Sequence, residues 1–205
     1  AIKAVAHLVS VGITRIAVLQ TDDSFGADSA AGADKGFTVA NLKPVLVQKF
    51  PREKPDFADL ASKIILSEAQ AVLYIGSSGN VAQGVKALRI AGSSAQVVTL
   101  SNNASEGFIK LLGEHARGVV VTQVFPNERA VTYKLIKEAQ DLAKSHGLGG
   151  VSPAMMEGYA AAKVLVEGLR RAGPKPTSSS LRDALESLNR FDLGGLEVSY
   201  SANDH

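Results

Sequence analysis

The sequence contains no cysteine and no tryptophan, and aromatic residues make up only 5% of its 205 residues. Without cysteine the chain can form no disulfide and carry out no thiol chemistry. It also lacks any run of about 18 apolar residues, the length that a membrane-spanning helix needs. The formal net charge is only +2 and the two signs are interspersed, so we do not expect a nucleic-acid-binding surface.

The remaining composition is that of a globular protein, with 45% hydrophobic and 20% charged residues. A length of 205 residues suggests one or two domains. The chain begins inside a helical pattern, with apolar residues at Ile2, Val5 and Leu8. It has no initiator methionine and no signal peptide, so we expect the start to be a cut and not a natural terminus.

Short apolar runs, each followed by a polar loop and a helical pattern, recur along the first 125 residues. The first run predicts a strand at 14–19, which ends in a polar loop at 20–26 and leads into a helix at about 24–41. Strands that alternate with helices of this length favour a doubly wound parallel sheet with helices on both faces, an α/β fold. The further predicted strands lie at 44–50, 71–75, 96–100 and 119–125.

The pattern changes after Pro126, where helices follow one another without strands between them. Such helices do not extend the same sheet, so we expect them to pack on another lobe. Ser180 and Asp183 have capping-box spacing at the start of the last helix, and a glycine-led strand is predicted at 193–201. The other predicted helices lie at 128–146 and 153–171, and the predicted divisions of the chain are 1–125, 126–192 and 193–205.

The loops after strands one, three and four carry the candidate binding residues. Ligands bind beyond the carboxyl ends of strands in such sheets, so these loops are expected to gather along one edge. Hydroxyls and backbone amides at the start of a helix can bind a carboxylate or another anion. Asparagines can form hydrogen bonds with a polar group of a ligand, or they can serve as turn residues. The candidates are Asp22, Ser24, Phe25, Ser77, Ser78, Asn102 and Asn103.

No convincing catalytic or metal site accompanies these residues. Asp22 and Asp23 could form a metal or phosphoacceptor site, but the later strand ends offer serines and asparagines in place of the required carboxylate and lysine. The loop at 76–79 lacks both the nucleophile-elbow order and the dinucleotide fingerprint. The four histidines are scattered. We therefore predict no catalytic residue, no metal and no cofactor.

Three segments together resemble a known family. They are Leu-Gln-Thr-Asp-Asp-Ser-Phe-Gly at 19–26, Asp-Phe at 56–57 and Val-Leu-Tyr-Ile-Gly-Ser-Ser at 72–78. Their order and spacing resemble the type I periplasmic binding proteins, most closely the leucine/isoleucine/valine-binding receptors of ABC transporters. Three further segments are similar to parts of that family: the strand that crosses between the lobes at 118–126, a later helix at 157–161 and the last crossing between the lobes at 194–201. The resemblance covers nearly the whole chain.

The resemblance implies a non-enzymatic periplasmic receptor with two α/β lobes that close like a hinge on a small organic solute. The implied solute is a branched-chain amino acid or an aromatic or aliphatic carboxylate, and the implied partner is an ABC permease in the inner membrane. Residues 1 to about 122 would be the second lobe, with a hinge at Val124, Phe125 and Pro126. The sheet of the first lobe precedes residue 1 in the family, so we expect this chain to be a fragment.

The family's ligand contacts map onto positions where this sequence differs. Phe25 matches a tyrosine of the leucine-binding members, and the loop of Ser77 and Ser78 matches one that presents another tyrosine. Asn102 or Asn103 matches the loop that supplies an acidic partner for the ammonium of the amino acid. An asparagine cannot form an ion pair with an ammonium, so a carboxylate without an amine fits the loops about as well. Asp22 and Glu128 are the acidic residues that could substitute.

Two other functions remain open at this stage. The same fold could serve as the ligand-sensing domain of a receptor or regulator, or an α/β enzyme could use Asp22 and Asp23. Basic residues on the lobe surface could contact a permease, but we interpret them as a solvated face. These residues are Lys43, Lys49, Arg52 and Lys54.

Overall fold

The computed structural model describes residues 1–126 and 128–204, and the chain divides into two compact units, Ala1–Val124 and Phe125–His205. The first unit is built on a five-stranded parallel sheet in the order β2-β1-β3-β4-β5. Because β2 and β3 lie on opposite sides of β1, the topological switch point falls between β1 and β3. The strands are β1 (Ile16–Thr21), β2 (Leu46–Phe50), β3 (Ala71–Ile75), β4 (Gln96–Thr99) and β5 (Val120–Val121).

Helices cover both faces of this sheet, as the sequence predicts for a doubly wound fold. Ile16 and Val18 pack with the buried residues of two helices on one face, and Ala17 and Leu19 pack with those of three helices on the other. This alternation buries β1 completely. The first face holds α1 (Ile2–Ser10) and α2 (Ser24–Val39), and the second holds α3 (Phe57–Leu66), α4 (Ser78–Ile90) and α5 (Glu106–Leu112).

The predicted boundary of the first strand is wrong by two residues. Gln20 and Thr21, predicted as the start of a polar loop, belong to β1 and are 5% and 0% exposed. Gln20 pairs with Lys49 of β2 on one side and with Ile75 of β3 on the other. Thr21 pairs with Phe50 of β2. This backbone pairing keeps the two polar residues in the strand, which side-chain polarity alone does not reveal.

The last strand of the sheet is also shorter than predicted. β5 contains only Val120 and Val121, not the seven residues from 119 to 125. It is an edge strand, and β4 offers it only Val98 and Thr99 as register partners. Because the chain leaves β4 in a short 3-10 turn at Ser101–Asn103, no further strand residues are available to pair.

The described residues of the second unit form three helices and a two-stranded antiparallel ribbon. Its helix α7, at 20 residues, is the longest described, yet no described helix is long and apolar enough to cross a membrane. The elements are α6 (Lys134–Ser145), α7 (Pro153–Ala172), α8 (Ser178–Glu186), β6 (Phe191–Asp192) and β7 (Glu197–Val198). Their buried core is Leu135, Ile136, Ala139, Met156, Ala160 and Leu193.

Two predicted helix starts in this unit are wrong. The helix predicted from 128 begins at Lys134, because the β-branched residues Val131 and Thr132 are poor helix formers and lie in turns. The capping box is formed by Thr177 and Ser180, and not by Ser180 and Asp183. Thr177 Oγ1 accepts from the Ser180 amide at 3.1 Å, and Ser180 Oγ accepts from the Thr177 amide at 2.9 Å.

The predicted strand at 193–201 is instead a turn followed by a short strand. Gly194 and Gly195 have φ angles of 119° and 92°, a region that favours glycine, and they reverse the chain between β6 and β7. Asp192 Oδ1 accepts from their two amides at 2.8 and 2.6 Å. The glycine pair therefore makes a hairpin where an alternating apolar pattern suggests one strand.

The Tyr74→Phe substitution should leave the melting temperature unchanged or raise it. Tyr74 is 0% exposed, and its hydroxyl has no hydrogen-bond partner among the described residues. Removing a buried unsatisfied hydroxyl relieves a desolvation penalty on the order of 1 kcal/mol. The measurement is thermal unfolding by circular dichroism. The matched control is Tyr159→Phe, which should lower stability because the Tyr159 hydroxyl donates to Glu138 at 3.3 Å.

Glu167 should contribute to the stability of the protein at neutral pH and lose this contribution in acid. It is 8% exposed, and hydrogen bonds and charge from Arg170, and then from Arg171, lower its pKa from 4.5 to about 2. A pKa lowered by folding means that the contribution is complete above pH 4.5 and is lost as pH falls toward 2. Glu167→Gln should therefore destabilise the protein at pH 7 and lose this effect near pH 2.

Thermal unfolding of both proteins between pH 2 and pH 7 measures this difference. Glu157→Gln on the same helix is the control, because Glu157 forms no ion pair among the described residues. A difference between wild type and Glu167→Gln that stays constant across this pH range would contradict the assignment.

Candidate functional site

The candidate site lies at the carboxyl edge of the first unit's sheet, where the loops after β1, β3 and β4 meet the starts of helices. In the first loop Asp23 is the N-cap of α2, and its Oδ1 accepts from the Gly26 amide at 2.9 Å and from Thr21 Oγ1 at 3.0 Å. Gly26 is required here, because a Cβ at this position would lie 1.9 Å from the Thr21 carbonyl oxygen. The loop is therefore tightly closed over the end of β1.

Both aspartates of this loop form ion pairs with basic residues that follow or end β2. Arg52 binds Asp23 Oδ2 through Nε at 2.8 Å and a terminal nitrogen at 2.5 Å, and Lys49 Nζ lies 3.2 Å from Asp22 Oδ1. The Gly26 amide and the Arg52 guanidinium lower the pKa of Asp23. Lys49 and Arg52 thus lie at the site edge, and their side chains are 58% and 53% exposed, which agrees with a solvated face.

These ion pairs bear on the catalytic alternative for Asp22 and Asp23. Each carboxylate already has a cation beside it. Within residues 1–126 and 128–204, no group of three histidine or acidic side chains could hold a metal ion. The arrangement orients the loop and presents polar groups at its surface.

The remaining candidates of the first loop differ in exposure. Ser24 is exposed, whereas Phe25 is half-buried and packs against the core beneath α1 and α2. Asp22 is also exposed, with 61% of its side chain accessible. Ser24 and Asp22 can therefore contact a solute directly, and Phe25 can do so with the part of its ring that the core does not cover.

The loop after β3 begins α4 with two serines. Ser77 is the N-cap and accepts from the Asn80 amide at 3.4 Å, while Ser78 Oγ donates to Asn103 Oδ1 at 2.8 Å. Asn80 Nδ2 in turn donates to the Arg52 carbonyl oxygen at 3.0 Å. These bonds connect the loop after β3 both to the chain after β2 and to the turn after β4.

The two asparagines after β4 have different environments. Asn102 is exposed, and Asn103 is only 1% exposed with hydrogen bonds at both ends of its amide. Glu128, the other acid considered for an ammonium, lies in the second unit, and its Oε2 is buried without a hydrogen-bond partner among the described residues. The structure thus brings all seven candidates to one edge of the first unit, whereas Glu128 belongs to the second unit.

Comparison with known proteins identifies the family. The model of the periplasmic binding protein family matches residues 1–205. The chain belongs to this family.

Solved structures of such binding proteins share its fold. A substrate-binding periplasmic protein from Ralstonia solanacearum is 30% identical with a TM-score of 0.84, over 99% of this chain and 59% of that one. A possible leucine/isoleucine/valine-binding protein from Rhodopirellula baltica is 24% identical with a TM-score of 0.88, over 100% and 57%. A putative branched-chain amino acid ABC transporter from Rhodospirillum rubrum is 26% identical with a TM-score of 0.71, over 93% and 55%.

The chain therefore spans 55% to 59% of the length of these three structures. No curated protein matches the sequence. The fold and family predicted from the sequence are confirmed, and the individual site and hinge residues stay predictions.

Sequence reasoning missed three groups that shape the edge of this binding protein, namely Arg52, Asn80 and Thr99. Arg52 and Asp23 are 29 positions apart, and Thr99 lies inside a predicted strand. No periodicity links residues at such separations. Only strand order could have indicated the contact of Arg52 with Asp23. In a parallel sheet in which β2 pairs with β1, basic residues directly after β2 must lie beside the loop after β1.

Asp23→Ala should destabilise this binding protein more than Asp23→Asn. Asparagine keeps the N-cap but loses the ion pair with Arg52, whereas alanine loses both. Urea unfolding followed by circular dichroism measures the order of stability. The control is Asp28→Ala, because Asp28 is exposed on α2 and forms no ion pair among the described residues. Equal effects of the two Asp23 variants would contradict a capping role.

Proposed function

We propose that this periplasmic binding protein is the solute receptor of an ABC importer. It binds a small organic solute, a branched-chain amino acid or an aromatic or aliphatic carboxylate, between two hinged lobes. It then delivers the solute to a permease in the inner membrane and catalyses no reaction. The observation that carries this proposal is the gathering of hydroxyl, amide and aromatic groups from three loops at the switch point of the sheet.

The proposed ligand contacts divide by exposure. Asp22, Ser24 and Asn102 are exposed and can touch a solute from this side. Phe25, Ser77 and Ser78 are partly buried and form the floor and the wall around it. Such a surface covers one side of a small molecule, and enclosure by a second lobe supplies the remaining contacts and desolvation.

We assign residues 1–125 to the second lobe, 126–192 to helices that complete the first lobe and 193–205 to a returning segment. Support comes from α7, where Met155, Leu165, Val166 and Leu169 are 37% to 64% exposed along one face of the helix. A cavity of about 320 Å³ between α6 and α7 is lined mainly by apolar side chains, including Leu142. A sheet contributed by the first lobe would bury these surfaces.

We place the hinge at Val124, Phe125 and Pro126. The boundary between the two compact units falls between Val124 and Phe125, and β5 has already ended at Val121. Hinges in such proteins are a few residues between elements that absorb changes in backbone angles. A periplasmic location follows from the proposed role.

Calorimetric titration of the full-length receptor tests the proposed function. The panel contains L-leucine, L-isoleucine and L-valine, with 4-methylpentanoate and phenylacetate as carboxylates that lack an amine. We expect one of these classes to bind with a Kd on the order of micromolar, in a fully enclosed site. Residues 1–205 alone should bind the same compound far more weakly, because they carry only one side of the pocket.

The outcomes separate the alternatives. Tight binding by residues 1–205 alone would contradict the two-lobe assignment. No binding of any panel compound by the full-length protein would contradict the proposed solute class and favour a sensing domain with a different ligand. Phosphatase or hydrolase activity lost in Asp22→Asn would contradict the proposal that the protein is not an enzyme.

A further inference from the structure

A single buried amide joins the loop after β3 to the turn after β4. Asn103, 1% exposed, donates from Nδ2 to the Gly76 carbonyl oxygen at 3.3 Å and to Thr99 Oγ1 at 2.8 Å. Its Oδ1 accepts from Ser78 Oγ at 2.8 Å and from Asn102 Nδ2 at 3.2 Å. Every polar atom of this side chain is therefore occupied, and two candidate ligand-binding residues are among its partners.

The directions of these hydrogen bonds are fixed by backbone carbonyls, which can only accept. Thr99 Oγ1 donates its one hydrogen to the Tyr74 carbonyl oxygen at 2.8 Å, so it can only accept from Asn103. The Gly76 carbonyl oxygen accepts from Asn103 and also from Asn102 Nδ2 at 3.0 Å. Both amides must therefore turn their nitrogen atoms toward the carbonyls.

This fixed polarity determines what the site offers a solute. Asn102 Nδ2 uses both of its hydrogens, on Gly76 and on Asn103, while its Oδ1 has no partner among the described residues. The Ser78 hydroxyl uses its hydrogen on Asn103, and its oxygen accepts from no described residue. The free atoms of both side chains are thus hydrogen-bond acceptors.

We infer that Asn103 is a positioning residue that holds Ser78 and Asn102 so that their free acceptor atoms meet a hydrogen-bond donor of the ligand. The donor is an ammonium, another N–H or a hydroxyl group. This inference rests on the proposed function, because it assumes that a solute binds at this edge. It differs from the sequence-based expectation that these loops suit a carboxylate.

A ligand carboxylate at the same place would need donors from these groups. Rotating the Asn102 amide would turn its oxygen toward the Gly76 carbonyl and remove one of the two donors to that oxygen. Rotating the Asn103 amide would remove the second donor to the Gly76 carbonyl oxygen. It would also turn Asn103 Oδ1 toward that oxygen, so that two acceptors would face each other in a buried position. The fixed amides therefore disfavour an anionic group beside Asn102, and a carboxylate that took the Ser78 hydrogen would cost Asn103 Oδ1 one of its two donors.

Two nearly isosteric variants of the full-length protein test the positioning role. Asn103→Asp removes the donors to Gly76 and Thr99, and Thr99→Val removes the acceptor of one of these bonds. Amide hydrogen exchange at 76–80 and 100–105 should become about tenfold faster in both variants, because opening of these loops becomes easier. In Thr99→Val, which adds no charge to the site, the Kd for the probe that binds should weaken about tenfold.

Gln70→Leu is the matched control at the opposite edge of the sheet. The Gln70 side chain oxygen accepts from the amides of Thr14 at 3.1 Å and Arg15 at 3.0 Å, so it also holds a loop against a strand end. This variant should lower the melting temperature without changing exchange at 76–80 or the Kd. Equal changes in Kd for Gln70→Leu and Thr99→Val would overturn the positioning role.

L-leucine and 4-methylpentanoate, which differ only by the amino group, test the donor. We expect tighter binding of L-leucine, and we expect Ser78→Ala to weaken L-leucine binding but not 4-methylpentanoate binding. Tighter binding of 4-methylpentanoate, or no effect of Ser78→Ala on L-leucine, would overturn the inference. If neither probe binds, the proposed function fails for this solute class, and unchanged exchange in Asn103→Asp would separately overturn the positioning role.

Discussion

The pairing of β1 with a strand on each side is the constraint on which the first unit depends. Because the chain runs from β1 to β2 on one side and then back past β1 to β3 on the other, right-handed crossovers place α2 on one face of the sheet and α3 on the opposite face. The same arrangement leaves a crevice at the carboxyl ends of β1 and β3 that no crossing connection fills. The burial of β1 and the location of the candidate site therefore have one cause.

Backbone groups at the ends of strands and helices hold the polar side chains at this edge in place. At the end of β3, the Tyr74 carbonyl oxygen accepts from Thr99, the last residue of β4, and the Gly76 carbonyl oxygen accepts from the two asparagines of the turn after β4. At the end of β1 the amide of Gly26 is satisfied by Asp23. At this edge many polar side-chain atoms form hydrogen bonds with backbone groups at the ends of strands and helices. Only the side-chain atoms without such a bond are free to bind a solute.

The sequence predicts the parts of the fold that depend on local pattern. The apolar runs of β1 and β3 are clear, because burial on both faces of the sheet leaves a short-range signal. The hairpin after Phe191 was not predicted, since the alternating residues around Gly194 also fit a strand. The length of β5 depends on where β4 ends, which is information from a different part of the chain.

For the site, the sequence predicts the loops but not the relations among their side chains. Nothing local distinguishes the buried Asn103 from the exposed Asn102, because their difference arises from the position of β3 beside β4. The ion pair of Asp23 with Arg52 joins residues 29 positions apart and depends on the strand order. Such contacts follow from topology and become visible only when the sheet is assembled.

The contact between Tyr74 and Gly84 has a consequence for how the sequence of this lobe can diverge. A Cβ at position 84 would lie 2.0 Å from the Tyr74 hydroxyl and 2.3 Å from a ring carbon, so the aromatic ring occupies the space of the missing side chain. Neither residue can change freely while the other stays. In related chains a larger residue at position 84 should therefore accompany a smaller one at position 74, and the two positions should covary as a pair that sets the spacing of α4 from the sheet.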